Sequence, residues 1–259
     1  MRILVCVKQV PETDAFIEID DNSRWIRVDR IDVLRMNRYD ESAVEEALRI
    51  KESFSDTTID IISVGPPHSE AIVKRAIGMG ADNGIHIVAE KEEFLDPFLV
   101  ASWISVLAGK GKYDLILAGA MSEDTMQGLV GPLIAEYLSF PCATVVIFQR
   151  LLPETNRIYV EREVEGGFRE QLELILPAVL TIQTGINTPR YPSLSNLLRA
   201  NAMELKVFEA ATRKQSLPRQ EIGRVAYPEK LRAGISLSGS LDQKVAQLLK
   251  ILYEKSFLH

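Results

Sequence analysis

The first three fifths of the chain alternate short, dominantly apolar runs with longer amphipathic stretches, and this alternation restricts the fold more than any other feature of its 259 residues. Ile3–Val7, Ile59–Val64, Ile85–Val88 and Leu115–Ala118 are bounded by Gly, Pro or polar residues, the pattern of strands buried on both faces. Helical spacing predicts helices over about Glu41–Ser53, Ser69–Met79, Pro97–Leu107 and Gln127–Leu138, the last ending before Pro141. In the first, Ala43, Val44, Ala47 and Leu48 form the apolar stripe, while Glu41, Glu45, Glu46, Arg49 and Lys51 are expected to point outward. Such alternation predicts an α/β fold, a doubly wound and mostly parallel sheet with right-handed crossovers and helices on both faces.

The pattern changes at about Thr144. Thr144–Phe148 reads as another strand, and Arg157–Val164 and Gln171–Leu176 alternate on either side of Glu165-Gly166-Gly167-Phe168, an added β-hairpin with a glycine-permitted turn. Val179–Gln183 is the final strand, followed by a loop, Thr188–Pro192, whose two prolines exclude continued pairing. Beyond Phe208 a long polar stretch leads to an amphipathic helix near Leu241–Tyr253. That tail is too thin to build a core, so residues 206–259 are expected to form an extended C-terminal arm that packs on another chain, with residues 1–205 as the α/β domain.

Thirty Lys+Arg against thirty-six Asp+Glu give a net charge of −6, which argues against nucleic acid and against an anionic membrane surface as partners. No apolar run approaches the roughly eighteen residues of a membrane span, and Ile3–Val7 is too brief for a signal segment, so direct membrane insertion is not expected and a cytoplasmic location is. Cys6 and Cys142 lie far apart in apolar runs and read as reduced structural thiols. His68, His86 and His259 show no ligand spacing, which disfavours a metal site or a His-based nucleophile. Glu161, Glu163 and Glu165 alternate on a hairpin and form a solvated face rather than a glycosidase pair.

Open parallel sheets bind ligands where strands feed into helix N-termini. Three loops qualify: Lys8–Asp14, Gly65–Ser69 and Gly119–Pro132. In the last, small and hydroxyl residues precede a helix start, and the amides of Gln127 through Val130 can point at a phosphate. The loop matches neither the dinucleotide G-x-G-x-x-G pattern nor a P-loop, and no lysine is placed within it to neutralise a polyphosphate. Ser122, Asp124 and Thr125 can equally cap the following helix, and Asn37 and Asp40 can equally cap the one at Glu41. The residues alone leave both readings open.

Val5-Cys-Val-Lys-Gln-Val-Pro11, Met36-Asn-Arg-Tyr-Asp-Glu-Ser-Ala-Val-Glu-Glu-Ala-Leu48, Ala76-Ile-Gly-Met-Gly-Ala-Asp82 and the Ser122–Pro132 loop resemble, in this order, the beta subunit of electron transfer flavoproteins. Val160-Glu-Arg-Glu-Val-Glu-Gly-Gly167, Leu176-Pro-Ala-Val-Leu180 and Pro189-Arg-Tyr-Pro-Ser-Leu194 continue the likeness, which covers about residues 2–205. The resemblance implies an adenine nucleotide alpha hydrolase-like fold in a heterodimer. An alpha subunit would hold the FAD, and this chain would bind a structural AMP, as an electron carrier subunit without covalent chemistry of its own. By motif, the adenosine would contact Cys6, Asn37, Asp40, Val64 and Ser122, and the phosphate would lie near Asp124, Thr125, Gln127, Gly128, Leu129 and Val130.

The same resemblance implies that the Pro189–Ala200 segment docks a flavin-containing dehydrogenase of the acyl-CoA dehydrogenase type, with Leu194 as anchor and Tyr191 and Leu197 beside it. Glu163 would guide the alpha subunit's flavin domain. Electrons from fatty acid β-oxidation would then reach a quinone-linked acceptor. Two departures stand out. Ser195–Ala200 lacks the usual Pro- and Met-containing continuation with its Lys-rich end. Bifurcating relatives that carry a second FAD have Gly-Gly-Ala-Asp-Thr where this chain has Glu93-Phe-Leu-Asp-Pro97, and Asp-Gly-Asp-Thr where it has Ser122-Glu-Asp-Thr125. AMP is therefore expected rather than a second FAD; a stand-alone adenine-nucleotide-binding protein is the remaining alternative.

Overall fold

The computed structural model describes residues 1–22, 24–27, 34–89, 94–210, 218–228 and 234–257. The chain begins with β1 (Arg2–Cys6), β2 (Gln9–Pro11), β3 (Leu34–Met36) and α1 (Arg38–Ser53). Then follow β4 (Thr58–Gly65), α2 (Glu70–Met79), β5 (Asn83–Val88), α3 (Pro97–Gly111), β6 (Leu115–Gly119) and α4 (Val130–Leu138). The second half holds β7 (Cys142–Leu152), β8 (Arg157–Val164), β9 (Phe168–Ile175), β10 (Ala178–Ile182), α5 (Leu194–Ala202), β11 (Lys206–Glu209) and α6 (Leu241–Glu254). Nine strands form one sheet in the order β11-β5-β4-β1-β6-β10-β7-β8-β9. Pairing is parallel from β11 through β7 and antiparallel for β7–β8 and β8–β9.

The continuous apolarity of the central strands follows from this layering. Alternate residues of a strand face opposite sides, and both sides are covered. Ile3, Val5, Ile59, Ile61, Leu115 and Leu117 share one core with Ala43, Val44 and Ala47 of α1 and with Val73 and Ile77 of α2. Leu4, Cys6, Ile62, Ile116 and Val179 share the other with Ala101 and Ile104 of α3 and Ile134 of α4. The doubly wound parallel sheet and the hairpin at Gly166 are thus as the sequence predicts, with Gly166 and Gly167 both at positive φ in the turn.

Several boundaries differ from expectation. Helix α1 begins at Arg38, so Asn37 is its N-cap residue and Asp40 lies inside the first turn. Glu45 and Glu46 do not point outward; both are buried, because the chain at Asn187–Arg190 returns over them. Helix α4 begins at Val130, three residues later than expected, and leaves Gln127–Leu129 as loop. Three further elements had no sequence expectation or only a faint one: the β2–β3 ribbon, the edge strand β11 on β5, and α5. Helix α5 sits close to α2, where a Cβ on Gly78 would come within 2.9 Å of Leu197 Cδ2.

The compact units divide between Val225 and Ala226 rather than after residue 205, since β11 is part of the sheet. The second unit, Ala226–His259, carries α6, entered through a capping box in which Ser240 and Gln243 each bond the other's backbone. No residue of α6 is buried, and Leu241, Val245, Leu248 and Leu249 are exposed. Glu93 and His259 lie outside the described residues. Among the described residues no helix is long and apolar enough to cross a membrane.

Candidate functional site

Strands β1 and β6 lie side by side and release their loops at the same edge of the sheet, where α1 begins. The first turn of α1 ties these loops down. Asp40 Oδ2 accepts the Lys8 backbone N–H at 2.7 Å, and Oδ1 accepts that of Gly119 at 3.0 Å. Asn37 Nδ2 donates to the Met121 carbonyl at 2.9 Å, and its Oδ1 accepts the Glu123 N–H at 3.2 Å. Only glycine fits at 119, because a Cβ there would stand 2.3 Å from Asp40 Oδ1. Outside this knot Arg35 bridges Glu12 at 2.8 Å and Glu123 at 3.0 Å, fastening the β2–β3 ribbon to the loop after β6.

A half-open cleft of about 770 Å³, counted out to solvent, opens beside the knot. Val64, Val100, Ile104 and Ala118 give it an apolar lining, and Gln127, Gly128, Leu129 and Val130 line it as well. Among the described residues nothing accepts from the backbone amides of those last four. They span the N-terminus of α4, where unpaired N–H groups and the helix dipole favour an anion. Gly128 packs its α-carbon so close to the Ala120 carbonyl that a Cβ would lie 2.5 Å from the oxygen. The donor set, four free amides and no cation among them, suits one phosphate group.

Ten of the eleven residues assigned to nucleotide contact, namely Cys6, Asn37, Asp40, Val64, Ser122, Thr125 and Gln127–Val130, line this one cleft. The structure also settles how their side chains are engaged. None of Ser122, Asp124 and Thr125 caps α4; the Ser122 and Thr125 hydroxyls bond each other at 2.7 Å. Asn37 and Asp40 spend their polar atoms on loop backbone rather than on helix capping. Burial pushes the Asp40 carboxyl up to about 7, against the two amides, Asn37 and the charge of Lys8, which all lower it. Burial, with Asp40 adding, also holds the Cys6 thiol far above its ordinary value, so Cys6 is a small wall residue and not a nucleophile.

Asp124 is the exception. Its side chain is 9% exposed and pairs with Lys8 Nζ at 2.7 Å. It lines an adjoining hollow together with Trp25, Phe94, His68 and Ser69, and Lys8 lines both spaces. No lysine lies within the Gln127–Val130 loop, but Lys8 reaches the cleft from outside it. The signal was its place at the carboxyl end of β1, where side chains face a ligand in parallel sheets. Asp96, next to Pro97 at the cleft wall, is used elsewhere: it caps α3 through the Phe98 N–H at 2.6 Å and accepts the N–H of Gln220 at 2.7 Å.

Comparison with known proteins decides the family. The profile described as the electron transfer flavoprotein domain matches residues 26–213. The chain is 32% identical to the electron transfer flavoprotein subunit beta of Methylophilus methylotrophus, over 98% of both chains. It is 34% identical to that of Bos taurus over 97% of this chain and 98% of the relative, and 34% identical to that of Homo sapiens over 81% of each. The chain belongs to the electron transfer flavoprotein beta-subunit family. Members of this family are named for electron transfer.

The residues that the family resemblance assigns to docking divide in the structure. Tyr191 and Leu194 are 88% and 74% exposed on the loop and first turn of α5. Leu197 is half-buried against Gly78, whereas Leu198, one helical turn after Leu194, is exposed on the same face. Glu163 is exposed on β8 and accepts from Gln183 Nε2 at 3.3 Å. Arg190 pins the loop by donating to Glu45 at 2.8 and 2.9 Å and to Glu52 at 2.7 Å.

Proposed function

We propose that this chain is the AMP-holding subunit of a heterodimeric electron transfer flavoprotein, paired with an alpha subunit that carries the FAD. The cleft carries this reading: four free amides at the start of α4 face a space with apolar walls, as a nucleoside monophosphate requires. Gln127–Val130 would hold the phosphate, and Val64, Ala118 and Cys6 would enclose the base. AMP supplies no redox chemistry, and its contribution there is to fill and stiffen the site. Electrons would pass between the alpha subunit's flavin and a dehydrogenase of the acyl-CoA dehydrogenase type docked at Tyr191 and Leu194, and then to a quinone-linked acceptor. Helix α6, with its unburied apolar stripe, would pack on the alpha subunit, and truncation after Ala233 should weaken assembly at nanomolar concentration.

Nucleotide released by acid from the purified heterodimer tests the assignment, with one FAD and one AMP per complex expected. A second reading, a bifurcating complex with FAD also in this chain, is favoured by one observation: a second hollow, lined by Trp25, shares Lys8, Val64, Phe94 and Leu95 with the cleft. Two FAD per heterodimer, with NADH-driven reduction of ferredoxin, would replace the first reading by the second.

A further inference from the structure

We propose that the Lys8–Asp124 ion pair sets the length of phosphate chain that the cleft retains, admitting nucleoside monophosphates and turning away di- and triphosphates. The inference rests on the nucleotide reading of the cleft and goes one step further, to which phosphate number that site selects.

Among the described residues lining the cleft or the adjoining hollow, Lys8 is the only Lys or Arg, and it borders both spaces. Its ammonium is held by Asp124 at 2.7 Å, and its main chain is fixed by the bond from its N–H to Asp40. Asp124 lines the hollow and not the cleft, so the pair stands on the partition with its anionic member on the hollow side. The side chain of Asp124 is almost fully covered and keeps its partner by the cost of leaving a buried carboxylate unpaired.

One phosphate at Gln127–Val130 needs no cation, because backbone amides satisfy it. A second phosphate carries further charge away from those amides. Toward the hollow it meets the Asp124 carboxylate and a lysine whose charge is already matched. Like-charge contact in a partly desolvated space disfavours it. Removing the negative member alone reverses the balance. In Asp124→Asn, Lys8 is released to bond the second phosphate, a charge-assisted contact worth about tenfold in affinity.

The test is calorimetric titration of AMP and of ADP into the nucleotide-stripped full chain, comparing the parent, Asp124→Asn and the double variant Lys8→Met/Asp124→Asn. The parent should bind AMP about tenfold or more tighter than ADP. Asp124→Asn should bind ADP about tenfold tighter than the parent does and nearly lose the preference. The double variant, with the hollow equally open and no ammonium, should regain the preference for AMP, which separates charge from space. Each ratio is taken within one preparation, so a variant that folds in reduced yield keeps its ratio. If the parent prefers AMP and Asp124→Asn leaves the ratio unchanged, the inference fails and the nucleotide reading stands. If the parent binds neither nucleotide, the reading itself fails and takes the inference with it.

Discussion

Two loops leave adjacent parallel strands at the same edge of the sheet, one after β6 and one after β10, and they are built in opposite ways. The first turns inward: its carbonyl at Met121 and its amides at Gly119 and Glu123 are bound by Asn37 and Asp40, and its free amides at Gln127–Val130 border a cleft. The second turns outward: Asn187 and Arg190 anchor its base, and Tyr191 and Leu194 stand in solvent. Both take their anchors from α1, the first from Asn37 and Asp40 in the opening turn, the second from Ser42, Glu45 and Glu46 in the middle. One helix therefore fixes a concave surface that presents backbone donors and a convex surface that presents apolar side chains. If that division is correct, the two surfaces can be damaged separately through different residues of the same helix or its partners.

The largest effect is expected from Asp40→Ala. It strands the amides of Lys8 and Gly119 and opens the knot behind the cleft, costing about 3–4 kcal/mol. Urea unfolding should show the loss, and AMP retention should fall with it, while the loop after β10 keeps its protection from proteolysis. Equal vulnerability of both loops would show that α1 acts as one unit and erase the distinction. Arg190→Ala is the mirror experiment. It leaves Glu45 buried and unpaired, which costs about 2–3 kcal/mol, less than for a fully buried pair because the guanidinium is partly solvated. The second loop should become the protease-sensitive one and AMP content should stay unchanged.

Titration sharpens the same contrast. Asp40 binds its proton more tightly folded, at about 7, than unfolded, at about 3.9. The stability this contributes is full below the unfolded value and is lost as pH rises through the folded one. Between pH 5 and 7 the parent should lose about 2 kcal/mol through this group, read as a falling urea midpoint at constant m-value. A midpoint unchanged over this range would mean that the amides of Lys8 and Gly119 outweigh burial and that Asp40 is ionised throughout.

How much of this was legible in the sequence follows from the range of the interactions concerned. The central strands announce themselves because a strand covered on both faces must be apolar at nearly every position, and Ile3–Cys6 or Leu115–Ala118 allow little else. The glycines of the cleft loop and its place after a central strand were likewise local signals. Glu45 and Glu46 read as outward-facing because their partners, Arg190 and Asn187, lie some 140 residues further on, and no helical period reports a loop that returns. The same holds for Lys8 and Asp124, which pair across 116 positions. The start of α4 reads three residues early in the sequence because Gln127–Leu129 fit a helix locally, whereas in the fold they line the cleft as loop. Strand β11, four residues at a sheet edge with Val207 exposed, has too short and too mixed a pattern to be distinguished from a loop.

The smallest expected effect distinguishes the tip of the outward loop from its base. Leu194 is the first residue of α5, behind the cap that Ser193 provides to the Asn196 N–H, and such a residue often packs back on its own helix as a staple. Its 74% exposure leaves that contact little area, so Leu194→Ala should change unfolding stability by less than about 0.5 kcal/mol. If a partner pocket covers about half of the side chain on docking, the same substitution should slow electron transfer from the donor dehydrogenase about tenfold at subsaturating carrier. Leu197→Ala is the internal control. That side chain is half-buried against Gly78, so its truncation should cost about 1–2 kcal/mol of stability and should slow transfer only as far as the fold is lost. Unchanged transfer in Leu194→Ala would make the exposed leucine a bystander, and a matching loss of stability would make it a staple. A slowed rate in a chain that unfolds like its parent would show that the convex surface acts through contact with a partner.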